Sequence, residues 1–288
     1  MRTQELAPAK INLALDILGR RADGYHELRM VMQTVSLCDV ITVEEGGTGF
    51  TLLTGEAFSL PADKVSMEQR AAEAFFAALG VPVPPLTVRL EKNIPAYAGL
   101  GGGSADVAAL LRCLRRLYAA GMPDEALRAI GLTVGSDVPF CVSGGTSLAE
   151  GRGERLTDLP PLPVCQIVLC KPDFGISTPE LFVLADGAVL SKRPDIAGLT
   201  AALQGGELTG VTDRLCNVFE EFLPERYQEV FRIKEILLAH GALNAAMSGS
   251  GPTVYGTFES AAEAQRAAEV LKKSYQQTYV AKPVKKLV

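Results

Sequence analysis

Between Ile94 and Asp106 the chain reads Ile-Pro-Ala-Tyr-Ala-Gly-Leu-Gly-Gly-Gly-Ser-Ala-Asp, with glycine at positions 99, 101, 102 and 103. The run follows a strand-like stretch, Leu86 to Leu90. It precedes a helical stretch in which Val107, Leu110, Leu111, Leu114 and Leu117 form an apolar stripe that stops near Gly121 and Pro123. Glycines without a Cβ let backbone N–H groups approach a ligand closely, and a helix start adds unpaired donors and the positive end of its dipole. Strand, glycine loop and helix in this order outline a phosphate site. The Lys-Ser/Thr ending of a P-loop is missing, and Ser104 stands where G-x-G-x-x-G needs its last glycine, so both common nucleotide fingerprints fail. A turn capped by Ser104 is the plainer reading, but four glycines in five residues cost backbone entropy that a turn does not require.

The 288 residues suggest about two domains at the usual size. The stiff, donor-poor stretch Leu159-Pro160-Pro161-Leu162-Pro163 is the expected boundary, giving units 1–158 and 159–288. In the first, Ile11, Leu13, Leu15 and Ile17 alternate with Lys10, Asn12, Ala14 and Asp16, a strand signature. A turn at Arg20–Gly24, an extended stretch from Met30 to Val43 and an alanine-rich helix over 67–79 follow. The second unit predicts a strand at 164–171, helices near 179–186, 195–204, 214–222 and 225–239, strands near 243–247 and 253–258, and a helix at 260–274. A last strand, 278–284, is left free to pack on either unit. Strands and helices mix without regular βαβα alternation, which makes the fold α+β.

Composition narrows the function. A net charge of −5 with no basic block argues against nucleic acid or an anionic membrane as partner. Six cysteines with no CxxC pair read as free thiols in a reducing cytoplasm. His26 and His240 have no zinc-binding spacing, the start is not a signal peptide, and the longest uncharged segment, His240–Phe258, is broken by glycine and proline. A cytoplasmic protein acting on small molecules, as a monomer or weak homodimer, is expected. Three further places could carry chemistry. Met247–Pro252 is either a hairpin turn or the second face of a polyphosphate site. Asp137, in Gly135–Phe140, is either a helix cap or a carboxylate that accepts a proton. Lys10, beside Asn12, is either on a solvated strand face or a site cation. Together they have the parts of phosphoryl transfer, in which positioning and charge stabilisation dominate.

Pro8-Ala9-Lys10-Ile11-Asn12, Pro95 to Ser104 and Ser248 to Pro252 together resemble the three motifs of the GHMP kinase superfamily. Arg21–Leu28, Gly135–Phe140, Glu150–Glu154, Ile176–Phe182 and Ala245–Val254 resemble pieces of one branch, whose acceptor is 4-diphosphocytidyl-2-C-methyl-D-erythritol of the non-mevalonate isoprenoid route. The resemblance implies an N-terminal domain like that of a ribosomal protein and a ferredoxin-like α+β C-terminal domain. It implies transfer of the ATP γ-phosphate to the C2 hydroxyl, with Asp137 as general base, Lys10 as the cation beside it and Asn12 on the substrate. Pro95, Gly99, Leu100, Gly101, Gly102, Gly103, Ser104 and Ala105 would hold ATP, with Mg2+ arriving on the nucleotide and Ser104 as a candidate hydroxyl for it. Tyr25 and Phe182 would sandwich cytosine, His26 would bond its edge, Thr178 would lie near the erythritol, and Ser248 and Gly249 would complete the acceptor side. Two positions depart from the pattern: Ser66-Met67 where relatives commonly carry Asn-Leu, and Ala105 where many have a second serine. Homoserine, mevalonate or a sugar as acceptor, a diphosphate decarboxylase, and a non-enzymatic protein on the same fold are the competing readings. The Tyr25-His26 pair favours a pyrimidine over a simple polyol.

Overall fold

The structure, a computed structural model, describes residues 1–55 and 65–287. Its elements in chain order are β1 (Arg2–Arg20), β2 (His26–Glu45), β3 (Phe50–Thr54), α1 (Met67–Ala78), β4 (Leu86–Glu91), α2 (Gly102–Tyr118), α3 (Asp124–Leu132), α4 (Val138–Ser143), β5 (Thr146–Gly151) and β6 (Arg155–Asp158). They continue with β7 (Gln166–Lys171), α5 (Thr178–Gly187), α6 (Ile196–Gly205), α7 (Leu208–Thr212), β8 (Cys216–Asn217), α8 (Glu229–Ala239), β9 (Asn244–Met247), β10 (Val254–Phe258), α9 (Ala261–Lys272) and β11 (Gln277–Ala281).

The first sheet runs β3-β4-β2-β1-β8, with β5 also pairing to β2 and β6 to β5. Its backbone is the β1–β2 hairpin, longer than the alternation alone indicates because residues 7–17 are buried on both faces. Ile11, Leu13, Leu15 and Ile17 join the core, while Lys10 and Asn12 are only 5% and 1% exposed, which excludes the solvated-face reading. The β1–β2 register shifts between Pro8 and Lys10 and again between Asn12 and Ala14. Such irregularities re-aim side chains next to a site, and here they bracket the Lys10–Asn12 stretch. The apolar stripe of α2 packs against β1 and β2, with α1 and α4 beside it.

The second sheet, β11-β7-β10-β9, is antiparallel. With α8 and α9 packed on it, the succession β7, α8, β9, β10, α9, β11 is the split arrangement of a ferredoxin-like fold. The two sheets with their helices give the two-domain α+β architecture.

Three expectations for the second half need correction. The helix placed at 214–222 is instead the two-residue strand β8, parallel to β1, followed by a 3-10 turn at Val218–Phe222. Asn217 breaks the helix because its side chain is used elsewhere: Oδ1 accepts from the Phe219 N–H, and Nδ2 donates to the carbonyls of Met247 and Gly249. The helix placed at 225–239 begins as a 3-10 turn after Pro224 and becomes α-helical only at Glu229. The last strand ends at Ala281 against β7, and the residues beyond it return to the first sheet. There the Ser36 N–H donates to the Lys282 carbonyl and that of Val284 to Thr34, while the Leu287 N–H donates to Ser143 at the end of α4.

Candidate active site

One cleft of about 1040 Å³ follows the β1–β2 hairpin, lined from Lys10 past Leu15, Leu28 and Met30 to Tyr25 and His26 at the turn. At its Lys10 end the glycine loop closes tightly. The Lys10 N–H donates to the Leu100 carbonyl. Gly101 has φ +68°, and a Cβ there would lie 2.9 Å from Lys10 Cγ. Gly99 has φ +74°, and a Cβ there would lie 2.1 Å from the Ser248 carbonyl oxygen. Neither position admits a side chain, which accounts for two of the four glycines. Gly102, Gly103 and Ser104 open α2, so their N–H groups have no partner inside the helix and face the loop with the positive dipole end.

The second glycine turn is both a hairpin and a wall of the same cleft. It joins β9 to β10, and the Ser248 hydroxyl donates to the Gly99 carbonyl at 2.9 Å. A Cβ on Gly249 would sit 3.3 Å from Lys10 Nζ. Two residues missed in the sequence hold this junction: Asn217, through the carbonyls described above, and Tyr255, whose buried hydroxyl donates to the Asn12 carbonyl at 2.9 Å. Neither has a local signal, since each acts across the fold.

Lys10 Nζ donates to Asn12 Oδ1 at 2.7 Å and stands 3.5 Å from Asp137 Oδ2. Asp137 occupies the N-cap position of α4, yet its side chain makes no capping bond and remains about one-third exposed toward the cleft. Geometry thus favours the carboxylate over the cap. Lys10, Asp137, Gly99, Gly101, Ser104, Tyr25, His26, Thr178, Phe182 and Gly249 all line the cleft. Pro95, Leu100, Gly102, Gly103, Ala105, Asn12 and Ser248 stand behind that lining, and three of them bond to it: Leu100 and Asn12 to Lys10, and Ser248 to Gly99.

At the other end the aromatic groups are engaged with one another. The His26 ring stacks on Phe182, centroids 4.6 Å apart, and His26 Nε2 is 2.8 Å from Asp186 Oδ1. The Phe182 face expected to meet a base is here covered by His26, and Tyr25 carries the Arg152 guanidinium over its ring. Asp186 was not singled out by sequence, and Arg152 entered only as part of Glu150–Glu154, without a role. Thr178 and Ser250 are joined through their hydroxyls at 2.6 Å. Ser66, one of the departures, caps α1 by accepting from the Gln69 N–H, and Met67 lies over Gly103 and Gly135.

Beneath the loop sits a buried charge cluster. Asp39 accepts from the Asn93 and Ile94 N–H groups, and Lys92 bridges Asp39 and Asp106. Burial pushes the Asp106 carboxyl up to about 8, with the Lys92 ammonium opposing the rise and the Asp39 carboxylate adding to it.

Residues 67–145 match the GHMP kinases N terminal domain, and residues 200–277 match the family described as GHMP kinases C terminal. A 4-diphosphocytidyl-2-C-methyl-D-erythritol kinase from Caldicellulosiruptor bescii is 39% identical over 266 residues, 92% of this chain and 93% of the relative. The chain belongs to that kinase family. A Clostridium acetobutylicum member is 37% identical over 96% of this chain and 99% of its own. A solved 4-(cytidine 5'-diphospho)-2C-methyl-D-erythritol kinase superposes with a TM-score of 0.82 at 33% identity, covering 98% of this chain and 99% of that one. Homoserine kinase from Cytophaga hutchinsonii, at TM-score 0.74 and 19% identity, shares the fold alone.

Proposed function

We infer that this kinase transfers the γ-phosphate of ATP to the C2 hydroxyl of 4-diphosphocytidyl-2-C-methyl-D-erythritol, giving the 2-phosphate and ADP. Among the observations of geometry, the contact of Lys10 with Asp137 inside a pocket of two glycine turns carries the reading. Asp137 accepts the proton of the attacking hydroxyl, and Lys10 holds that carboxylate and the incoming oxygen in one place while Asn12 fixes the Lys10 head. The N–H groups at the start of α2 bind the nucleotide phosphates, with Ser104 beside them. Tyr25, His26 and Phe182 take the cytosine once the His26–Phe182 stack opens, and Thr178 lies toward the erythritol.

Among the described residues no group of three His, Cys, Asp or Glu is arranged to hold a metal ion. Mg2+ carried on the ATP phosphates would find the Ser104 hydroxyl at the start of α2, which lines the cleft. When bound, the ion neutralises phosphate charge. No helix of the described residues is long and apolar enough to cross a membrane, and all six cysteines are unpaired, which supports a cytoplasmic setting.

The test is ADP release with Mg-ATP in the presence and absence of the cytidyl acceptor. Acceptor-dependent turnover is expected. A folded, ATP-binding protein that turns over homoserine or mevalonate instead would overturn the assignment.

A further inference from the structure

Three cations line the cleft: Lys10, Arg20 and Arg152. Lys10 faces Asp137 and Arg20 faces Asp186. Arg152 has no ion-pair partner among the described residues. Glu154, two residues on, is spent on the Arg152 backbone N–H. Asp23 is held by Arg21 and the Tyr25 N–H and feels the Arg152 charge only at longer range. The guanidinium lies instead over the Tyr25 ring, 4.6 Å from its centroid. A cation–π contact of this kind orients the planar group without using its N–H donors.

Position makes the free charge informative. Arg152 follows Gly151, which pairs with Leu28 just beyond the hairpin turn. It precedes Gly153, where a Cβ would lie 3.8 Å from Asp137 Oδ1 and 3.3 Å from Met30 Cε. The residue therefore stands between Tyr25 at the aromatic end and Asp137 at the reacting end. An acceptor that places its base at the first and its hydroxyl at the second has to lay its diphosphate across this stretch.

We propose that Arg152 binds the diphosphate bridge of the acceptor, with Tyr25 as its platform, so that the cleft reads the phosphates as well as the base. The proposal rests on the cytidyl-acceptor reading above. A guanidinium fork matches phosphate oxygens bidentately, and nothing in the cleft competes for it.

The test compares cytidine, CMP and CDP as ligands of the full-length protein, measured by calorimetry, for the native chain, Arg152→Gln and Arg152→Lys. Arg152→Gln should weaken CDP about tenfold to a hundredfold and leave cytidine within about twofold, from the usual strength of a charge-assisted bond. Arg152→Lys should recover part of the loss, and in turnover KM for the acceptor should rise far more than kcat falls. An equal loss for cytidine and CDP would show that Arg152 acts only by holding Tyr25, and no loss for either would show an idle surface charge; each sinks the proposal. If the native chain binds none of the three ligands, the cytidyl-acceptor reading itself fails. CDP binding that the substitutions leave untouched removes Arg152 alone.

Discussion

At one end of the cleft Lys10 and Asn12 are 5% and 1% exposed, bracketed by register shifts and enclosed by two glycine turns with no room for a methyl group. At the other end Tyr25 is 53% exposed, and its neighbours are bonded to one another: His26 to Phe182 and Asp186, Arg152 to Tyr25 itself. The first end is fixed by backbone and core. The second is assembled from contacts that a ligand can exchange for its own. Chemistry needs atoms held to fractions of an ångström, whereas recognition tolerates side chains that rearrange.

That contrast can be broken from either side. Asp137→Asn should remove about 10²- to 10⁴-fold of kcat while leaving KM for the acceptor and the thermal midpoint near native; a variant with near-native turnover would exclude Asp137 as the base. Gly99→Ala forces a methyl group against the Ser248 carbonyl in a left-handed backbone. It should cost about 1–3 kcal/mol, seen as a midpoint lowered by roughly 3–10 °C and a diminished stabilisation by ATP. Phe182→Ala addresses the exchangeable end and should raise KM for the acceptor about tenfold, the equivalent of one stacking contact, with kcat changed little. A large kcat loss there would mean that the two ends are not separable.

The smallest effect concerns the cluster beneath the fixed end. Asp106 keeps its proton in the folded chain up to about pH 8 but releases it near its ordinary value of 3.8 once unfolded. Between those values the folded state holds the extra proton, so stability falls as pH rises, by about 1 kcal/mol between pH 6 and pH 7 at the linkage limit for one group. Denaturant titrations of the native chain and Asp106→Asn across that interval should differ by this slope. Parallel curves would mean that Asp106 is ionised in the fold.

The fixed end was the more legible in sequence, because its determinants are local. Alternation in β1 singles out Lys10 and Asn12, four clustered glycines announce the loop, and the α2 stripe follows directly. Asp137 was visible but ambiguous, since a carboxylate before a short apolar helix has the same local form whether it caps or reacts. What stayed hidden depends on long-range pairing. Asn217 ended an apparently helical run because it serves β9 and the second glycine turn, Tyr255 reaches Asn12, and the nearness of Arg152 to both Tyr25 and Asp137 exists only once β5 pairs with β2. Short elements such as α4, α7 and β6 contain too few residues to establish a period.

The chain's last described stretch, 282–287, leaves β11 and bonds to Thr34, Ser36 and Ser143, and β8 has already threaded into the first sheet beside β1. The two halves are thus laced at several points rather than joined by a single strap. Swinging them apart like a jaw would strip backbone hydrogen bonds at each crossing. A cleft so laced admits and releases its ligands by rearranging its lining, as the tip of the hairpin can, while the frame around Lys10 holds still.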